Sequence, residues 1–220
     1  MLKCEWQEPG RVEYGEAFAW QQRLVDQRKG GAIPDQLILL EHPHTITMGR
    51  NGHMQNLLAG EAMLRREGVA FHPTDRGGDV TYHGPGQIVG YPILDLREWK
   101  RDVGAYVRAI EQTMIDTLAD FGIQAGRIPK LTGVWVGERK IGAIGVHISR
   151  WVTSHGFALN VSTDLRYFQY IVPCGLSKPV TSMRQSGCEA SWTEVAARVT
   201  ANFGRVFDRE MIPAGVLACK

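Results

Sequence analysis

A chain of 220 residues with 44% hydrophobic content and a mean hydropathy of -0.19 can bury one sizeable core, and no low-complexity linker divides it, so a single domain over 1-220 is expected. Lys and Arg total 25 against 23 Asp and Glu, a net +2, which argues against nucleic acid or an anionic membrane as the main partner. The N-terminus, MLKCEWQEPG, has no apolar signal core and no run approaches a membrane span, so a cytoplasmic protein is expected. Cys4, Cys174, Cys188 and Cys219 form no CxxC pair and no metal-ligand spacing, and read as free thiols of a reducing compartment.

In chain order, Val12 to Lys29 carries Tyr14, Ala17, Phe18, Leu24 and Val25 mostly on one helical face, and Gly30-Gly31 stops the pattern. Leu37 to Leu40 and Thr45 to Met48 read as two strands around the Pro43 kink. His42 and His44 offer two imidazoles, yet no second pair lies nearby and Pro43 disturbs the geometry, so hydrogen-bonded loop histidines are expected rather than a metal site. A short helix over Glu61 to Glu67 ends at Gly68, and Val69 to His72 returns as a strand.

Arg76 to Leu96, RGGDVTYHGPGQIVGYPILDL, reads as a polar, glycine-lined loop delivered onto a strand that begins near Ile88. Gly90 and Pro92 interrupt that strand, so a bulge or a close neighbour is expected. The glycines do not form GxGxxG and lead into a strand rather than a helix, and there is no GK[ST], so a nucleotide site is disfavoured. Asp102 caps a helix whose apolar stripe runs from Val103 to Phe121. Gly133 to Val161 is an antiparallel meander, and Ser191-Trp-Thr-Glu194 has capping-box spacing ahead of a last amphipathic helix.

Cys174 lies in Ile-Val-Pro-Cys-Gly-Leu, a tight-turn setting that suits a displayed nucleophile and equally a small core residue. A nucleophilic thiol needs a neighbouring base or cation, and the candidates are His83, His155 and Lys140. Lys140 opens a run of small and apolar residues where it would serve as general base, although a hairpin lysine reaching to water has the same signature.

Arg76-Gly-Gly-Asp-Val-Thr-Tyr-His83 with Gly84-Pro-Gly-Gln87 and Tyr91 resembles the signature of the lipoyl(octanoyl) transferases. Two further blocks agree in order and spacing: Lys140 to Gly145 with Ser154 to Asn160, and Pro173 to Leu176 with Val180 to Ser182. The resemblance implies the biotin/lipoate protein ligase superfamily, an α/β (α+β) fold on a mixed, largely antiparallel sheet flanked by helices. It implies transfer of an octanoyl or lipoyl group from acyl carrier protein to a lysine of lipoyl domains, those of 2-oxoacid dehydrogenase E2 subunits and the glycine cleavage H protein. By the same resemblance Cys174 is the nucleophile that holds the acyl group as a thioester, and Lys140 activates it and relays protons. Arg76, Gly77, Gly78, Asp79, Val80, Thr81, Tyr82 and His83 would line the acyl site with Ala143, Ile144, Gly145, Gly156, Phe157 and Ala158, and His155 would support it. Exchange between thioesters needs neither ATP nor metal, so no cofactor is expected. The competing readings are an ATP-dependent lipoate-protein ligase and a non-catalytic carrier-binding module on the same fold.

Overall fold

The computed structural model describes residues 1–172 and 178–215. Its strands are β1 (Leu2–Arg11), β2 (Asp35–Glu41), β3 (Thr45–Met48), β4 (Ala70–Pro73), β5 (Val80–His83), β6 (Gln87–Ile93), β7 (Gly126–Ile128), β8 (Leu131–Val136), β9 (Arg139–Ser149), β10 (Val152–Asn160) and β11 (Arg209–Pro213). Its α-helices are α1 (Tyr14–Lys29), α2 (Glu61–Arg66), α3 (Val103–Asp120) and α4 (Trp192–Phe207). An eight-stranded sheet runs β11-β1-β2-β6-β10-β9-β8-β7, parallel only where β1 meets β11 and β2. A second sheet of three strands, β4-β3-β5, lies beside it.

The large sheet is covered on both faces, which is why β2 is written as a continuous apolar run. Leu37, Leu39, Ile88, Phe157 and Leu159 pack toward α3 and α4, while Ile38, Leu40, Val89, Tyr91 and Ile93 turn to α1. The helix ends follow the expected chemistry. Asp102 accepts from the Ala105 N–H at 2.9 Å, and Ser191 with Glu194 forms a reciprocal capping box on α4.

Two expectations change. Val80–His83, read from sequence as part of a glycine loop, is strand β5, because its Val-Thr-Tyr-His run pairs residue for residue with β3. β6 is not bulged: it keeps unbroken register with both β2 and β10. Gly90 instead admits a close neighbour, since any Cβ there would collide with the Phe157 ring. Strands β1 and β11 are additions that periodicity did not announce. They pair with each other in parallel at one edge of the sheet.

Candidate active site

Lys140, the second residue of β9, is fixed by backbone pairing to the segment after residue 177. Its N–H donates to the Pro179 carbonyl at 2.9 Å, and its carbonyl accepts from the Thr181 N–H at 2.8 Å. The side chain is 9% exposed, and its Nζ stands 4.9 Å from the centre of the Trp135 ring, an attractive placement for a cation. Gly133, at φ +124°, gives it room: a Cβ there would press on the Lys140 stem and on the Gly142 carbonyl.

From Lys140 an apolar slot runs between the two sheets. Its floor follows the alternation of the large sheet. Gln87 and Asn160 stand opposite each other nearest Lys140, Val89 faces Ala158 and Ala143 in the middle, and Tyr91, Gly156 and Gly145 make the far part. Thr81, Ala143 and Ala158 line both the Lys140 end and the deeper cavity, so the two adjoin across these residues. The small floor residues make the slot. The Arg76 stem lies across Gly145, where a Cβ would come 2.9 Å from its Cδ. Arg76 is held in turn by bonds from Nη2 to the Thr47 carbonyl and hydroxyl, at 2.8 and 2.9 Å.

The roof and far wall are histidine-rich and tightly bonded. His83 meets the Gln87 Oε1 at 2.8 Å through Nδ1; Gln87 donates to Asn160 at 2.9 Å, and Asn160 donates to the Thr181 carbonyl at 2.9 Å. This series of amides ends on the segment that flanks Lys140. His42 Nδ1 lies 2.6 Å from the Val12 carbonyl, which can only accept, so Nδ1 carries the proton and Nε2 accepts from the Tyr91 hydroxyl at 2.7 Å. Burial drives both rings toward the neutral form, lowering His42 to about 4 and His83 to about 3, with the neighbouring imidazoles pushing the same way. His155 sits in β10 at φ +55°, a conformation that non-glycine residues rarely adopt. It is held there by its N–H on Gln21, its Nε2 at 2.7 Å from Asp75 and its stacking on Phe18.

Of the residues singled out in the sequence, Arg76, Gly78, Thr81, His83, Ala143, Ile144, Gly145, His155, Gly156, Phe157 and Ala158 line the slot. Strand alternation turns Val80 and Tyr82 the other way, into the core beneath α2, where the Tyr82 hydroxyl bonds His44. Gly77 donates its N–H to Val146, and Asp79 accepts from the backbone of His53 and Val80 and from the Asn56 amide, so both brace the loop from behind. Tyr14 and Val89 also line the slot; helical periodicity assigns Tyr14 only to a core face. Cys174 lies outside the described residues. The chain is described on both sides of it, by the Val172 N–H on the Asn56 carbonyl and by Pro179 on Lys140.

The model of the lipoyl protein ligase A/B catalytic domain matches residues 13–204. The chain belongs to that family. It is 69% identical over 99% of its length to an octanoyltransferase from Solibacter usitatus, of which it covers 99%. It is 46% identical over its whole length to an octanoyltransferase from Gloeobacter violaceus, of which it covers 97%. Among solved structures it resembles lipoate-protein ligase A bound with ATP, at a TM-score of 0.79 and 14% identity, covering 99% of this chain and 90% of that one. The bi-partite lipoate protein ligase of Thermoplasma acidophilum gives 0.78 at 15% identity, over 100% of this chain and 89% of that one. At such identities these two establish the lipoate-ligase fold, with its mixed and mostly antiparallel sheet. Among the described residues no helix is long and apolar enough to cross a membrane.

In this lipoyl protein ligase A/B family chain the neutral wall of the slot carries a stability cost in acid. The folded-state affinities of His42 and His83 for a proton are depressed, so their contribution is complete above the ordinary imidazole value near 6.5 and is lost as pH falls toward about 4 for His42 and about 3 for His83. In that window the unfolded chain binds protons that the folded one refuses. Unfolding free energy from urea titrations is expected to fall by about 1.4 kcal/mol per pH unit for each ring below pH 6.5. A flat profile between pH 7 and 5 would mean that the two rings are hydrated in the folded protein.

Proposed function

We propose that the chain transfers an octanoyl group from acyl carrier protein to a lysine of lipoyl domains, through a thioester on Cys174 assisted by Lys140. The observation that carries this reading is the apolar slot adjoining the cavity at Lys140, built on small floor residues and closed at its other end by uncharged rings. The relatives named octanoyltransferase, matched along the whole chain, support it. The neighbouring structure of a lipoate ligase and its E2 lipoyl domain supports the acceptor class.

In this mechanism Lys140 takes the Cys174 thiol proton as the sulfur attacks the carrier's thioester carbonyl. The carrier's sulfur leaves and receives that proton, and the octanoyl chain stays in the slot on Cys174. The target lysine's amine then attacks the same carbonyl, an amide forms, and the Cys174 thiolate is released as Lys140 takes up the amine's proton. Asn160, next to Lys140, offers its amide at the carbonyl end and is oriented by Gln87, while Val89, Ala143 and Ala158 hold the methylenes.

Incubating the protein with octanoyl-acyl carrier protein, without ATP, is expected to yield a protein-bound octanoyl group that hydroxylamine removes and that passes to an added lipoyl domain. A strict requirement for ATP would replace this reading with that of a ligase.

A further inference from the structure

The slot ends in a wall whose position is fixed more firmly than its lining requires. Tyr14, the first residue of α1, is 3% exposed and held on every side. Its hydroxyl bonds Thr74 at 3.2 Å, its ring stacks on His83 at 6.4 Å, and it meets His42 and His72 at 5.3 and 5.1 Å between centroids. Tyr91 is locked to the same block through His42. One turn along α1, Phe18 stacks on His155, which lines the slot. Such a wall cannot yield by a simple rotamer change, because each tyrosine is both packed and hydrogen-bonded.

The distance from the Lys140 end to this wall is set by the sheet. From Gln87 to Tyr91 along β6 is about 13 Å at ~3.3 Å per residue. An extended octanoyl chain spans about 9 Å from carbonyl carbon to terminal methyl, so with its carbonyl level with Gln87 a single van der Waals contact of about 4 Å against Tyr91 takes up the remainder. A dodecanoyl chain is about 5 Å longer and would run into the tyrosines.

We propose that Tyr14 and Tyr91, locked together through His42, are the specificity-determining end stop that restricts this enzyme to acyl chains of about eight carbons. The proposal rests on the acyl-transfer reading for the direction in which the chain enters, with its carbonyl at Lys140. Each methylene beyond the wall must either buckle the chain or displace a packed ring, and a single methylene in such a pocket commonly changes binding about tenfold or more.

The test uses free hexanoic, octanoic and dodecanoic acids as calorimetric probes, with octanoyl-acyl carrier protein turnover as a separate arm. The wild type is expected to bind octanoic acid at least about tenfold more tightly than dodecanoic acid. Tyr14→Ala is expected to erase or invert that ratio. Ala143→Val, which fills the middle of the floor, is expected to move the optimum to hexanoic acid. The two variants shift the ranking in opposite directions, so the second carries the test if the first fails to fold. Equal wild-type affinity for octanoic and dodecanoic acids, or an unchanged ranking in the folded variants, overturns the end stop. The expected ranking without turnover of octanoyl-acyl carrier protein supports the end stop and overturns the transfer reaction instead.

Discussion

Replacing Cys174 by alanine is expected to abolish both octanoyl transfer and the hydroxylamine-sensitive adduct, and Lys140→Ala is expected to slow acylation by about 10²–10⁴-fold without unfolding the chain. The two cysteines among the described residues are poor substitutes. Cys4 is fully buried in the core and its thiol is pushed far above the ordinary range by burial, with Asp35 adding to the effect. Cys188 is partly buried against the α3 and α4 side of the sheet, away from the slot-lining residues. Peptide mapping of the adduct therefore decides the nucleophile: octanoate on Cys188 would remove Cys174 from the mechanism. For Lys140 the informative companion is Lys140→Arg. A guanidinium keeps positive charge beside Trp135 but cannot give up its proton, so it would restore rate only if charge alone is required. Single-turnover acylation rates separate the two roles, and wild-type rates in Lys140→Ala would exclude both. Backbone bonds to Pro179 and Thr181 do not depend on the lysine head, which is why the fold should survive.

Asp35→Ala is expected to destabilise the protein by about 3–5 kcal/mol, read as a lower urea midpoint at unchanged slope. Asp35 is 1% exposed and serves three elements at once. Its Oδ1 accepts from Arg28 Nε at 2.8 Å and from the Asp95 N–H at 3.0 Å, and its Oδ2 accepts from Arg209 Nε at 2.8 Å. Arg28 belongs to α1, Asp35 to β2 and Arg209 to β11, so one carboxylate ties the first helix and the last strand to the centre of the large sheet. Removing it leaves the Arg209 guanidinium, 4% exposed, with only the Phe207 and Asp208 carbonyls as hydrogen-bond partners among the described residues, while Arg28 keeps Glu98 and a longer contact to Asp95. The cost comes from the stranded buried charge more than from the loss of attraction. Asp35→Asn, which keeps a carbonyl oxygen for one arginine, should fall between alanine and wild type. A loss below 1 kcal/mol would mean that water replaces the carboxylate. The same network anchors the C-terminal end of α1, whose first residue is Tyr14, so the variant should also blur chain-length discrimination.

Much of the framework was legible in the residues. The stripes of α3 and α4, the caps at Asp102 and Ser191, and the meander from β8 to β10 follow from periodicity and local hydrogen-bond chemistry. His42 and His44 are the bonded loop histidines that their isolation suggested. Other features were not readable because they depend on partners far away in sequence. β5 is a strand because β3 pairs with it, and β1 and β11 exist as strands because each completes the other's hydrogen bonds at a sheet edge. Of the block from 76 to 83, alternation sends Thr81 and His83 to the slot and Val80 and Tyr82 to the core, a division that depends on which face of β5 the large sheet covers. Composition, spacing and local chemistry thus determined by themselves which segments form helices and which residue types are available for acyl chemistry. Only the tertiary structure decided where the slot ends, because Tyr14, His42 and Tyr91 come from three separate elements and meet through packing, and no local pattern encodes the distance between them.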